Sequence, residues 1–160
     1  GILMNQRKNR LSIYFFICIL FPLQCINSSE QIMSKKPIQT TKAPASIGAY
    51  SQAIRSGDLL FISGQIPLNP ETMEIDNSSF KESAYRVISN LESICKEAGA
   101  SLDDIVKLNI YLLDLRNFAE LNEIMEEKFS QPFPARATVE VAGLPRDVTI
   151  EMDAIVSLSK

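Results

Sequence analysis

From Pro37 onward, polar and apolar positions recur with two different periods, and the switches between them outline the elements. Near the end of the chain, Phe133 to Val141 alternates at the strand period: Ala135, Ala137, Val139 and Val141 share one face, and Arg136, Thr138 and Glu140 share the other. Val148 to Leu158 repeats the pattern, with Val148, Ile150, Met152, Ala154 and Val156 set against Thr149, Glu151 and Asp153. Between them, Gly143-Leu144-Pro145-Arg146-Asp147 is rich in residues that interrupt pairing, which predicts a hairpin with a medium-length loop. Such a hairpin sets Arg136 opposite Glu151 or Asp153. Either register puts the guanidinium and the carboxylates on the same face of the sheet.

The earlier part of the domain reads the same way. A short strand begins near Pro37 and a loop with Pro and Gly runs from Thr41 to Tyr50. Ser51–Arg55 and Leu59–Ile66 then flank the turn Ser56-Gly57-Asp58, which predicts a second hairpin. Leu59–Ile66 is apolar almost throughout, as befits a central strand, and Gly64 near its end allows close approach to the backbone. The spacing of Ala84, Val87, Ile88, Leu91, Ile94, Cys95 and Ala98 predicts a helix from about Phe80 to Ala98. Ser79 and Glu82 suit a capping box at its start, and Gly99 suits the position just past its end. Cys95 belongs to that apolar stripe and reads as core. Ile105–Leu113 is a further strand. Phe118 to Phe129 is a second helix, with Asn117 at the N-cap, Leu121, Ile124 and Met125 facing inward, and Glu123, Glu126, Glu127 and Lys128 in water. The order β-β-β-α-β-α-β-β predicts an α+β fold: a mixed sheet with both helices on one face and an antiparallel pair at each end. The other sheet face is left open, with Tyr50, Phe61 and the polar row of Arg136 and Glu151 on it, and is expected to meet another subunit.

Composition narrows the partners. In 160 residues, 46% hydrophobic and 22% charged, the net charge is −3 and there is no His. That balance argues against nucleic acid as the main partner and removes the commonest general base and metal ligand. Three scattered Cys make neither a zinc site nor a disulfide framework. Residues 1–33 read as an extension outside the fold, with residues 34–160 as the domain. In the extension, Arg7, Lys8 and Arg10 precede the apolar run Leu11–Leu23, which has the shape of a secretory signal but no small-residue cleavage site after it. The other reading is an upstream stretch ahead of a start at Met33. The expected compartment is the cytosol, with an organelle or the secretory route as the alternative if residues 4–25 act as a signal.

Four segments carry a resemblance: Ala43 to Gln52, Ser63-Gly64-Gln65-Ile66-Pro67, Phe133 to Val141, and Leu144 to Ala154. Each is a weak signal alone. In this order and spacing, over Ser34 to Val156, they resemble the RidA (YjgF-type) family of reactive enamine/imine deaminases. The resemblance implies a chorismate-mutase-like fold and a homotrimer whose three sheets form an inner barrel, with sites in the clefts between subunits. Carried over by position, the family's site falls on Tyr50, Ser63, Gly64, Asn122, Arg136 and Glu151, with backbone groups of Ala137 and Thr138 also touching ligand. Thr138 stands where many deaminating members carry Cys.

The implied chemistry suits these residue types. 2-Aminoacrylate and its imine tautomer are small carboxylates with an electrophilic carbon. A planar guanidinium such as that of Arg136 grips a carboxylate through two parallel hydrogen bonds. A partly desolvated carboxylate such as Glu151 can position a water and move its proton. Tyr50 would shield the pocket, and Ser63, Gly64 and Asn122 would line it. Neither a metal nor an organic cofactor is expected. Taken without the family motifs, Arg136 and Glu151 on neighbouring strands read more simply as a cross-strand ion pair. Two other classes stay open: an endoribonuclease or translation inhibitor, and a non-catalytic trimer that binds small acids or acts like a chaperone.

Overall fold

The computed structural model describes residues 35–159. The apolar run Leu11–Leu23 and the alternative start at Met33 lie outside them. In chain order the elements are β1 (Lys36–Ile38), β2 (Ala53–Ser56), β3 (Leu59–Gln65), α1 (Phe80–Glu97), β4 (Ile105–Leu112), α2 (Phe118–Lys128), β5 (Ala135–Glu140) and β6 (Ile150–Ser157). The six strands form one sheet in the order β1-β2-β3-β6-β4-β5. All neighbours are antiparallel except β4 and β5, which run parallel. The fold is therefore α+β with a mixed sheet, as the element order predicted.

Both crossovers, β3-α1-β4 and β4-α2-β5, join strands that run the same way and step in the same direction along the sheet. Since such connections are right-handed, both helices fall on one face. That face is the core. Ile150, Met152, Ala154 and Val156 of β6 and Leu108, Ile110 and Leu112 of β4 pack there with Val87, Leu91 and Ile94 of α1 and Leu121 and Ile124 of α2. Leu91 is fully buried, so truncating it to Ala would cost about 2–5 kcal/mol.

The helix ends follow their signals unevenly. Ser79 caps α1, its side chain accepting from the Glu82 amide at 3.1 Å, and Gly99 takes the left-handed conformation at φ +80° just beyond the helix. Asn117 makes no side-chain cap for α2. A 3₁₀ turn at Leu115–Asn117 precedes that helix, and Asp114 caps it, accepting from the Arg116 amide.

The predicted C-terminal hairpin is absent. β5 and β6 are antiparallel but do not touch: β4 lies between them. The connection instead steps over the end of β4, whose Leu112 carbonyl accepts from the Val141 amide on one side while the Leu113 amide donates to the Thr149 carbonyl on the other. Arg146 and Asp147 take left-handed conformations to make this step, at φ 56° and 57°. The insertion changes the face assignments. Arg136 and Ala154 both flank Leu108, which places Arg136 on the helix-covered face, whereas Glu151 flanks Tyr111 on the open face. The expectation of Arg136 and Glu151 on one face is thus incorrect.

Candidate functional site

Two clusters on opposite faces of the sheet hold the residues expected to act. The first forms where α2 meets the edge strand β5. Arg136 reaches from β5 toward α2, and its Nη2 donates to Asn122 Oδ1 at 2.8 Å. The guanidinium carbon lies 5.3 Å from the centre of the Phe118 ring. Asn122, Met125, Glu126, Phe133, Pro134 and Arg136 line an open cavity of about 360 Å³. Among the ion pairs of the described residues none involves Arg136, so the cross-strand pair with Glu151 does not exist within the chain. Its charge faces a cavity with one neutral hydrogen-bond partner, an arrangement suited to an incoming carboxylate.

Thr138 shares this face, two residues along β5, and its buried Oγ1 has no hydrogen-bond partner among the described residues. Ala137 points to the opposite face. Because β5 pairs on one side only, some of its backbone N–H and C=O groups have no partner in the sheet. The backbone of Ala137 and Thr138 sits on that edge.

The second cluster lies on the open face at the end of β3. Gly64 has a specific steric role. A β-carbon there would collide with Glu151 Oε1 and lie 2.9 Å from Glu151 Cδ, so the missing side chain lets the carboxylate settle against β3. The β3–β6 register shifts between Ile62 and Gln65, which marks the irregularity that brings these two together. Ser63 ties the neighbouring loop down: its Oγ donates to the Ser51 carbonyl at 2.7 Å, and its amide donates to the Gln52 carbonyl. Gln52 is buried and holds the loop from within, accepting from the Thr40 amide and donating to the carbonyls of Thr40, Ala43 and Pro44. The loop it anchors presents Tyr50, whose hydroxyl accepts from the Ile47 amide at 3.2 Å. Ile47, Tyr50, Ser63, Gly64, Arg146 and Glu151 are among the residues that line an open depression of about 680 Å³.

Electrostatics distinguish the carboxylates of this face. Asp153 accepts from Asn109 Nδ2 and from the Tyr111 hydroxyl, each at 2.8 Å. Those two bonds hold the carboxylate in place. Glu151, two residues earlier on the same face, is half-buried and receives no hydrogen bond among the described residues. Burial first, and the nearby Asp153 charge second, hold its carboxyl above the usual range. The Tyr111 hydroxyl is raised as well, chiefly because it donates to Asp153.

The structure therefore brings Arg136, Asn122 and Thr138 together on one face and Tyr50, Ser63, Gly64 and Glu151 together on the other. Sequence reasoning missed Phe118, which reads there as the first residue of a helix, although it precedes Asn122 by four positions, the spacing of neighbours on a helix face. Strand alternation did put Asp153 on one face with Glu151, but gave no sign of the Asn109 and Tyr111 side chains that hold Asp153 there.

The architecture and the two clusters define a class, and comparison with known proteins identifies it. The Endoribonuclease L-PSP family model matches residues 40–158. A RutC family protein of Pyrococcus abyssi is 54% identical over 123 residues, spanning 77% of this chain and 97% of the relative. A 2-iminobutanoate/2-iminopropanoate deaminase of Dermatophagoides farinae is 38% identical over 122 residues, 76% of this chain and 95% of the relative. The crystal structure of RidA from an Antarctic Psychrobacter superposes with a TM-score of 0.74 at 48% identity, covering 76% of this chain and 98% of that one. The chain belongs to the Endoribonuclease L-PSP family, the RidA-type group that its motifs resemble.

Proposed function

We propose that this protein hydrolyses small enamine and imine intermediates such as 2-aminoacrylate to 2-oxo acids and ammonia, at sites completed between copies of the chain. The observation that carries the reading is the division of the site. Neighbouring strands lie about 4.8 Å apart, so β5 and β6, with β4 between them, are separated by about 10 Å, and their side chains diverge to opposite faces. One chain's Arg136 and Glu151 cannot hold the two ends of one small substrate. A second copy that covers the open face would supply the missing half to each cleft, and a closed trimer gives every copy the same environment. The open face offers apolar side chains for such contact, with Phe61 43% and Val139 45% exposed.

In this cleft Arg136 takes the substrate carboxylate through its free N–H groups and fixes the position of the adjacent imine carbon. Glu151, as carboxylate, accepts a proton from a water as its oxygen bonds to that carbon, and the C=N electron pair moves to the nitrogen, which takes a proton from solvent. The resulting tetrahedral amino alcohol expels ammonia when Glu151 returns its proton to the nitrogen, the C–N bond breaks and the hydroxyl gives its proton back to solvent. The balance is one imine and one water to one 2-oxo acid and one ammonia. A carboxyl with a raised pKa is better suited to this exchange than an ordinary one, because its affinity for the proton lies closer to neutrality. The chemistry needs no redox partner.

The likeness to the 2-iminobutanoate/2-iminopropanoate deaminase of Dermatophagoides farinae supports the assignment. Among the described residues no helix is long and apolar enough to cross a membrane. Cys95 is free and buried, its thiol pushed up to about 12 by burial, so it serves as core and takes no part in this chemistry. The test is the disappearance of 2-aminoacrylate, generated in situ from serine by a dehydratase, measured with and without the protein. Faster loss with matching ammonia and pyruvate is expected. Unchanged decay at micromolar protein rejects the activity.

A further inference from the structure

Arg136 is gripped in a way that leaves its binding edge open. The Phe118 ring covers the guanidinium with its centre 5.3 Å from the guanidinium carbon, and Asn122 Oδ1 takes one N–H at 2.8 Å. Phe118 and Asn122 are four residues apart on α2 and so lie about one helical turn from each other. A guanidinium has five N–H donors, all pointing outward in its own plane. The ring lies against the group and Asn122 meets its edge, so a carboxylate approaching in the plane competes with neither for the remaining donors.

Phe118 is also not simply core. The buried side chains of α2 are Leu121, Ile124 and Met125, whereas Phe118 is 38% exposed. An exposed aromatic over a cation with no carboxylate partner among the described residues needs a reason, and holding that cation ready supplies one. We infer that Phe118 is a positioning residue for the substrate carboxylate: its ring and Asn122 together clamp Arg136 so that the fork is set before the anion arrives. The inference rests on Arg136 being the carboxylate anchor proposed above. An arginine fixed at two points loses less side-chain freedom when its ligand binds, so the clamp raises affinity for ground state and transition state alike.

The test compares Phe118→Leu with Phe118→Tyr in the full chain. Leu keeps apolar bulk without the ring's negative face, and Tyr keeps that face. Pyruvate affinity by calorimetry, KM and kcat for imine hydrolysis, particle mass and melting temperature are read on each preparation. For Phe118→Leu, pyruvate Kd and imine KM should both rise by about 2- to 30-fold, the range for a cation–aromatic contact, with kcat held within about twofold. Phe118→Tyr should match the parent. Parent-like affinity in Phe118→Leu, or an equal loss in the Tyr variant, overturns the clamp. A fall in kcat at unchanged KM does so too. A parent that neither binds pyruvate nor hydrolyses the imine removes the anchor itself, and the Phe118 assignment with it. A functional parent with an unaffected Leu variant removes the Phe118 assignment alone.

Discussion

The Glu151 carboxylate occupies the space that a side chain on residue 64 would need: a β-carbon at Gly64 would stand 2.9 Å from Glu151 Cδ and overlap Oε1. The glycine is there for its neighbour across β3 and β6. Gly64→Ala should therefore leave the fold in place, since the end of a flexible side chain can move, while pushing the carboxylate out of position. A misplacement of about 1 Å can cost roughly 10²-fold in rate, and a loss of that order is expected with little change in melting temperature. The effect should largely vanish in a Glu151→Gln background, because both changes act through one group. Additive losses from the two substitutions would show that Gly64 acts elsewhere.

Assembly follows from the split site. With Arg136 and Glu151 on opposite faces, the proposed hydrolysis needs a second copy to complete each cleft, and a trimer would close the arrangement. Light scattering should give about three times the chain mass under conditions where the protein hydrolyses imines. Full activity from a monomer would dismantle the shared cleft.

Arg136→Lys keeps a positive charge but loses the planar fork and its contact with the Phe118 ring. Loss of a well-placed charged hydrogen bond typically costs roughly 2–5 kcal/mol, so pyruvate affinity should fall by more than tenfold while the particle mass stays the same. Parent-like affinity would make Arg136 a structural residue.

Much of this fold is written in the spacing of apolar residues, and the exceptions have physical causes. The α1 stripe and the Ser79 cap were legible because they are local: each residue's partner lies within a turn or two. Strand alternation correctly grouped Arg136 with Thr138, and Glu151 with Asp153. It could not say which strand lies beside which, since face-mates within one strand are silent about neighbours. A connection of hairpin length between β5 and β6 serves equally well to step over an intervening β4, and that single insertion placed Arg136 and Glu151 on opposite faces. Gln52 was legible as part of a motif, but not its role, because three of its four bonds go to backbone carbonyls that only the folded loop brings near. Asn117 has the composition of a cap yet leaves that work to Asp114, because a 3₁₀ turn extends the helix start by one more turn. The candidate site residues were named through family motifs rather than through chemistry alone.

Asp153 should tune Glu151. It lies on the same face, fixed by Asn109 and Tyr111, and its charge is the second cause of the raised Glu151 carboxyl after burial. Arg146 and Tyr50 line the same depression, and Lys107 lies further along that face on β4. Asp153→Asn removes the like charge but keeps the shape, so the Glu151 pKa should move partway down toward that of an ordinary carboxyl. If imine hydrolysis needs ionised Glu151, the acid limb of the rate profile moves to lower pH by the same amount. An unmoved limb, with the Glu151 titration unchanged by carboxyl NMR, would show that Asp153 has no hold on it.

Glu151→Gln separates catalysis from structure through the sign of its effect on stability. A carboxyl whose pKa is raised on folding binds its proton more tightly in the folded chain than in the unfolded one. Its contribution to stability is fully present below the unfolded value, near 4.5, and is lost as the pH rises through the folded value. At pH 7 the folded chain therefore carries the burden of a half-buried charge beside Asp153. Gln keeps the size of the side chain and carries no charge, so the variant should be at least as stable as the parent at pH 7. Its advantage should shrink as the pH is lowered toward the unfolded value. The rate of imine hydrolysis should meanwhile fall by about 10²–10⁴, the usual contribution of a general base, with pyruvate affinity nearly unchanged because Arg136 holds the carboxylate. An ion pair with Arg136 of another copy would give the reverse pattern: weaker assembly, a lower melting temperature, and a rate reduced only in proportion to lost folded protein. Melting temperature, pyruvate affinity and turnover on one preparation decide between them. Full turnover in a folded Glu151→Gln protein would end the case for Glu151 as the base.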